Sequence, residues 1–258
     1  MLLSLATGWL ADRKLPGALR APAYRAYCRL TGADITEARP PLHQYPSLGA
    51  FFIRRLIDGA RPVEADPQLL PSPVDGTVQA LTPITDGAVL QAKGRPYPIR
   101  ELLGPVGADL DLEGGFAWTI YLSPRDYHRI HSPETARLTE YAHIPGARHS
   151  VAPKVLLKRK VLSINERVVL RLETERGPLL LVLVGALNVG RIRVVGVEPE
   201  HSGPLAAPLE RERGAELARF EMGSTIVLVS PPGGPSLYQG LSEGDPVRLG
   251  QVIGSYKS

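Results

Sequence analysis

The chain has 258 residues, 43% of them hydrophobic, and a formal net charge of +4, which is enough for one substantial core with an appendage. Arg13, Lys14, Arg20, Arg25 and Arg29 against Asp12 put the whole excess charge into residues 1–30. This argues against a nucleic-acid binder with a basic patch spread over its folded domain, and for an anionic surface met by one end of the chain. The single Cys28 excludes an intramolecular disulfide, and the best apolar run, Leu179 to Leu187, is too short to span a bilayer.

In chain order, Leu2, Leu5, Ala6, Trp9 and Leu10 recur at helical spacing and predict a short amphipathic helix, interrupted at Pro16 and Gly17. Pro22 is expected to open a second helix, with Tyr24, Tyr27 and Leu30 on one face, Arg25 and Arg29 on another, and a stop at Gly32. Two short basic helices with aromatic and leucine faces suit a membrane interface carrying anionic lipid. The alternative is that they pack on the domain. The apolar start before Arg13 is the reverse of a secretory signal, so a cytoplasmic location is expected.

Residues 1–66 form this N-terminal helical, membrane-associating segment and its linker, with a linking helix expected over Phe51 to Leu56. From Pro71 onward the texture changes to short runs rich in Val, Ile, Leu and Thr separated by Gly, Pro and Asp-Gly turns. Strands are predicted over Gly76 to Leu81, Trp118 to Leu122, Val168 to Leu172, Leu179 to Val184, Ile192 to Val197 and Thr225 to Val229. The fold class is therefore mainly β, α+β overall, with an antiparallel core in a domain spanning 67–258. Two turn-strand units, Ser72 to Val78 and Glu243 to Gly254, resemble the hammerhead-like units of barrel-sandwich hybrid domains.

The most informative stretch is YLSPRDYHRIHSP, residues 121–133, in which His128 and His131 follow a strand and are bracketed by prolines. An isolated pair of this kind could ligate a metal, but the remainder of a zinc site is missing, so no metal is assigned. A second signal is Met222-Gly223-Ser224-Thr225 just before a strand. Small residues there usually form a plain turn. A Gly-Ser bond has a further capacity, because the Ser224 hydroxyl can attack the unhindered Gly223 carbonyl to give an ester. Elimination and hydrolysis then leave an N-terminal pyruvoyl group, and the weak nucleophile calls for a histidine oriented by a carboxylate. Asp75, in Ser-Pro-Val-Asp-Gly, is the natural carboxylate, although Asp-Gly is also a common hairpin turn.

Taken together, SPVDGTV, YLSPRDYHRIHSP and MGST resemble, in order and spacing, the bacterial, pyruvoyl-dependent phosphatidylserine decarboxylase family. FFIRRLIDGARP, KGRPYPIRELLG, INERVV and VGALNVGRI support the resemblance, which runs from about Phe51 to Gly254. It implies that Asp75, His131 and Ser224 form a self-processing triad that cuts between Gly223 and Ser224, giving a heterodimer of a β chain, 1–223, and an α chain, 224–258. It places His128 beside the pyruvoyl group derived from Ser224, which would form a Schiff base with the substrate, where His128 aids decarboxylation of phosphatidylserine to phosphatidylethanolamine. It also implies a peripheral enzyme at the cytoplasmic face of the cell membrane, with no nucleic-acid partner. Met222 and Ala218 depart from the family pattern and put the rate of cleavage in question. Arg54, Arg55 or the basic helices could contact the lipid phosphate, with no sequence signal to choose among them, and homo-oligomerisation is left open. The Asp-Gly-Thr-Val and Gly-Gln-Val-Ile-Gly units also suggest a lipoyl-like or biotinyl-like carrier, but such a carrier lacks its hairpin-tip lysine here and leaves the histidines unexplained. A pyruvoyl decarboxylase of soluble amino acids would need neither the basic helices nor this histidine motif.

Overall fold

A computed structural model describes residues 12–39, 41–91, 95–156, 160–186, 192–199, 202–221 and 224–256. The expected first helix over residues 2 to 10, and Met222 and Gly223, lie outside the described residues.

Eight antiparallel strands form the principal sheet, in the spatial order Ser202–Arg211, Ala136–Ile144, Arg167–Thr174, Gly177–Gly185, Ser224–Ser230, Phe116–Leu122, Gly76–Pro83 and Pro246–Val247. The central strands of the sheet are buried on both faces. In Ser224–Ser230, Ile226 and Leu228 point into one apolar cluster with Trp118, Ile120, Leu181 and Leu183. Val227 and Val229 point into another with Ala117, Val169, Leu180 and Val182. Successive side chains of a strand face opposite ways, so a strand covered on both sides must be apolar at nearly every position. That is why the central strands read as unbroken runs rather than alternating patterns.

Two three-stranded sheets cover the first face. One comprises Ile192–Val194, Glu216–Phe220 and Arg129–His131, and the other Ser236–Leu237, Val252–Ser255 and Leu69–Pro71. The short helices Ile99–Leu103 and Pro153–Leu156 cover the second. The two hammerhead-like units meet: Pro246–Val247 pairs with Gly76 and Thr77, Val252–Ser255 pairs with Leu69–Pro71, and Ser72 exchanges backbone hydrogen bonds with Gly250 and Gln251. The Trp118 indole N–H donates to the Ile253 carbonyl at 2.9 Å, tying the C-terminal unit to the sheet. The sheet does not close into a barrel.

The N-terminal expectations need two corrections. The helix Gly17–Thr31 begins before Pro22, which lies inside it and forfeits one intrahelical hydrogen bond. It ends where expected, with Gly32 at φ 80° and its N–H donating to the Cys28 carbonyl. The anticipated face divides: Tyr24 is buried and stacks on Phe51 at 4.8 Å, whereas Leu30 is 88% exposed. The linking helix is Leu48–Phe52, capped by the Ser47 hydroxyl accepting from the Ala50 N–H, while Arg55–Leu56 is a strand against Ala38–Arg39.

The packing makes a contrast measurable by urea unfolding. Leu228→Ala, in the doubly covered strand, should lower stability by about 3 to 5 kcal/mol. Leu30→Ala, on the open helix face, should change it by no more than about 0.5 kcal/mol.

Candidate functional site

Four segments converge at one end of the principal sheet. The His131 N–H donates to the Pro73 carbonyl at 2.9 Å, that of Phe220 to the His128 carbonyl at 3.0 Å, and that of Ser132 to the Ala215 carbonyl at 2.8 Å. Ser224 opens its strand opposite Leu122, the last residue before the histidine loop, and opposite Gly185 on its other side. The turn before Asp75, the histidine loop, the 215–220 run and Ser224 are thereby set next to one another.

Local sequence fixes the histidine loop. In Ser123-Pro124-Arg125-Asp126 the Asp126 carboxylate accepts from the Ser123 N–H and hydroxyl, each at 2.7 Å, and the Asp126 N–H returns a bond to the Ser123 carbonyl. This turn aims the Asp126 carbonyl at His128 Nδ1, 2.9 Å away. A carbonyl can only accept, so Nδ1 carries the hydrogen and Nε2 keeps a bare lone pair. That Nε2 is buried without a hydrogen-bond partner, and the ring lies 4.0 Å from that of Phe52. His128 is fully buried, and burial foremost, with Arg54 adding to it, pushes its pKa down to about 3.

His131 has the same tautomer for the same reason. Its Nδ1 donates to the Gly214 carbonyl at 2.7 Å, and its Nε2 accepts from the Tyr127 hydroxyl at 3.2 Å. Burial lowers its pKa as well. Both histidines are therefore neutral near pH 7, each with a lone pair on Nε2. The Ser224 hydroxyl is fully buried and, among the described residues, has no hydrogen-bond partner. An orphaned buried hydroxyl costs roughly 1 to 3 kcal/mol, so its presence points to a use other than packing.

Asp75 is buried just ahead of the strand Gly76–Pro83. Its neighbour is not a hairpin glycine: a Cβ at Gly76 would lie 2.6 Å from the Tyr121 carbonyl oxygen, so the close approach of two strands demands glycine. The Asp75 carboxylate accepts from Arg61 Nε at 2.8 Å and Nη2 at 2.6 Å, and from the Leu249 N–H at 2.8 Å. Arg61 also donates to Glu37 at 2.8 Å. The structure thus gathers all four expected side chains in one region but does not hydrogen-bond Asp75 to His131, whose ring nitrogens are both engaged elsewhere. Sequence reading assigned no role to Arg61, Tyr127 or Phe52. Arg61 lies within the FFIRRLIDGARP stretch, the one signal that marked it. Beside Asp75 a cleft of about 250 Å³ is lined by Arg54, Arg61, Arg125, Arg248 and Asp126 among others.

Residues 48–255 match the family model described as phosphatidylserine decarboxylase. The phosphatidylserine decarboxylase proenzyme of Xanthomonas axonopodis pv. citri is 41% identical over 236 residues, covering 87% of this chain and 84% of that protein. The proenzyme of that name from Myxococcus xanthus is 40% identical over 260 residues, covering 98% and 93%. The matched region contains Asp75, His128, His131 and Ser224.

The depressed histidine pKa values set a pH dependence. The unfolded chain takes up protons below about pH 6.5 that the fold refuses, so stability rises with pH through this window and is lost on acidification. Thermal unfolding should be steady above about pH 7 and fall by several degrees toward about pH 5. His128→Phe should flatten that slope, and an unchanged slope would show that His128 is not the buried neutral base described.

Proposed function

The chain belongs to the phosphatidylserine decarboxylase family, and from this premise we propose that it releases the carboxylate of phosphatidylserine as carbon dioxide, leaving phosphatidylethanolamine, with a pyruvoyl group made at residue 224. The observation that carries this reading is the convergence, at one end of one sheet, of a nucleophile and a base that are both buried without partners among the described residues, Ser224 Oγ and His128 Nε2, with Thr225 Oγ1 unpartnered beside them.

Self-cleavage is assigned to Ser224, His131 and Asp75. His131, kept neutral by burial, accepts the Ser224 hydroxyl proton on Nε2 after that nitrogen exchanges its bond from Tyr127. The Ser224 oxygen attacks the Gly223 carbonyl carbon, and an ester replaces the amide as the new Ser224 amine takes up a proton. Loss of the Cα proton then breaks the Cβ–Oγ bond, freeing a carboxylate on Gly223 and leaving a dehydroalanine. Water hydrolyses it to the ketone and releases ammonia. Glu216, and more weakly Asp75, favour the protonated form of His131 through space. Direct contact requires the carboxylate to give up one of its Arg61 bonds.

The residues fit a pyruvoyl group at position 224, because the hydroxyl consumed in making it carries no hydrogen bond of the fold. That group supplies an electron sink for the amine-bearing carbon as carbon dioxide leaves. His128 is assigned to the substrate side: its buried Nε2 lone pair takes up the proton shed by the substrate ammonium and returns it to the former α-carbon after carbon dioxide has left.

Association with an anionic membrane surface at the cytoplasmic face is supported by the helix Gly17–Thr31. Leu19 and Leu30 are exposed and eleven residues apart, hence on one side of three turns, and Arg25 and Arg29 are exposed beside them. Among the described residues no helix is long and apolar enough to cross a membrane. A shallow cleft on this face is lined by Leu30, Tyr121, Ser123 and Arg125.

Three measurements test the reading. Intact mass of the purified protein should show fragments 1–223 and 224–258, the smaller lacking a free amine, and a single uncut chain in every preparation would overturn the proposal. Ser224→Ala should remain whole, while His128→Ala should cleave normally and lose about 100-fold or more in carbon dioxide release. Leu30→Glu should weaken binding to vesicles containing anionic lipid without affecting cleavage, and unchanged binding would remove this helix from the membrane contact.

A further inference from the structure

Four arginines, Arg54, Arg61, Arg125 and Arg248, face four acids, Asp34, Glu37, Asp75 and Asp126, around the cleft beside Asp75. The acids are already committed. Glu37 and Asp75 hold Arg61, Arg248 reaches Glu37 at 3.5 Å, Asp126 is taken by Ser123 and by Arg125 at 3.7 Å, and Asp34 accepts from Thr36. Arg54 is left over. It is 3% exposed, its Nη2 donates to the Arg125 carbonyl at 3.1 Å, and its guanidinium lies 5.4 Å from the Phe51 ring centre. Its Nε and Nη1 have no partner among the described residues.

A buried guanidinium with two unused donors and no carboxylate is among the most costly arrangements a fold can keep. The cost is recovered when an anion enters the cleft. We propose that Arg54 binds the phosphodiester of the lipid substrate, an assignment that rests on the decarboxylase reading. The substrate carries two anionic groups, and the reaction distinguishes them. Carbon dioxide leaves neutral, so a cation held on the carboxylate would stabilise the starting state and slow its departure. The phosphodiester keeps its charge throughout, and binding it costs the chemical step nothing. Its free Nε and Nη1 are charge-assisted donors suited to phosphate oxygens. Position agrees: Arg54 is close enough to His128 to act on it electrostatically, and Arg125, whose carbonyl holds Arg54, also lines the cleft that reaches Leu30. The phosphodiester lies between the serine headgroup and the glycerol of the lipid, and Arg54 is bonded to the histidine loop through the Arg125 carbonyl.

The test uses the full-length protein and sn-glycero-3-phosphoglycerol, a phosphodiester with neither amine nor carboxylate. Calorimetry should detect binding, and the diester should raise the unfolding temperature. Arg54→Gln should weaken that binding about tenfold or more, raise KM for phosphatidylserine in mixed micelles by a similar factor, and leave kcat within about twofold. Self-cleavage should persist, and the variant without diester should be at least as stable as the parent, because an uncompensated charge has been removed. Arg54→Lys, which keeps the charge and loses the Nε and Nη1 donors, should fall between the two. Undiminished binding of the diester by Arg54→Gln, a fall in kcat at constant KM, or a variant that is markedly less stable or does not fold would each overturn the assignment. Binding can also be measured in uncleaved Ser224→Ala, without turnover. A protein that holds the diester through Arg54 yet releases no carbon dioxide would defeat the decarboxylase reading and spare this one.

Discussion

The guanidinium of Arg61 is the point at which three distant parts of the chain are fastened. It is nearly closed to solvent and binds Glu37 from the N-terminal segment and Asp75 from the turn before the sheet, while Asp75 also receives the backbone N–H of Leu249. Removing one member of such a buried group leaves the others charged and unpaired, which typically costs about 3 to 5 kcal/mol. The histidine loop is held by the same N-terminal segment. The Tyr27 hydroxyl donates to the Pro124 carbonyl, Arg54 to the Arg125 carbonyl and Arg129 to the Ile53 carbonyl. The N-terminal segment is thus more than an appendage with an affinity for membranes, since it forms one wall of the site.

This junction gives Asp75 two claims on its charge. A carboxylate bonded twice to Arg61 and once to backbone is a structural pin, and its influence on His131 is exerted across space. The two claims are compatible if orientation of His131 falls largely to its own contacts. The Gly214 carbonyl fixes the tautomer and Tyr127 holds the ring, so the base is formed without Asp75 touching it. His128 has its tautomer fixed in the same way, by the Asp126 carbonyl, but its enclosure leaves a lone pair on Nε2 that no described protein donor occupies.

Much of this was legible in the amino-acid sequence, for identifiable reasons. Strands covered on both faces, such as Gly177–Gly185 and Ser224–Ser230, announce themselves as apolar runs bounded by turns. The strand Ser202–Arg211 does not, because it lies at the sheet edge, is largely exposed and carries Pro204 and Pro208. The helix Gly17–Thr31 was divided by the rule that proline opens helices, which Pro22 breaks near the N-terminus, where little hydrogen bonding is lost. At the site, His128, His131 and Ser224 stood out because their motifs are unusual in composition. Arg54 and Arg61 did not, because an arginine in a sequence looks the same whether it ends in water or in the interior. Only the packing of Phe51 and the position of Glu37 separate these two from their exposed neighbour Arg55.

The proposed cut falls at the head of a central strand. Ser224–Ser230 lies between Gly177–Gly185 and Phe116–Leu122, and the residues after it supply the sheet edge at Pro246–Val247 and the partner of Leu69–Pro71. A break before Ser224 severs the covalent thread yet leaves the shorter piece interleaved with the longer one in the middle of the shared interior. The shorter piece has no core of its own, so it cannot leave without unfolding and without opening the sheet of the longer one. Once opened, the pair has no route to refold as it first did, when the two were a single polymer. Maturation of this kind would be a one-way step, performed on an already finished fold.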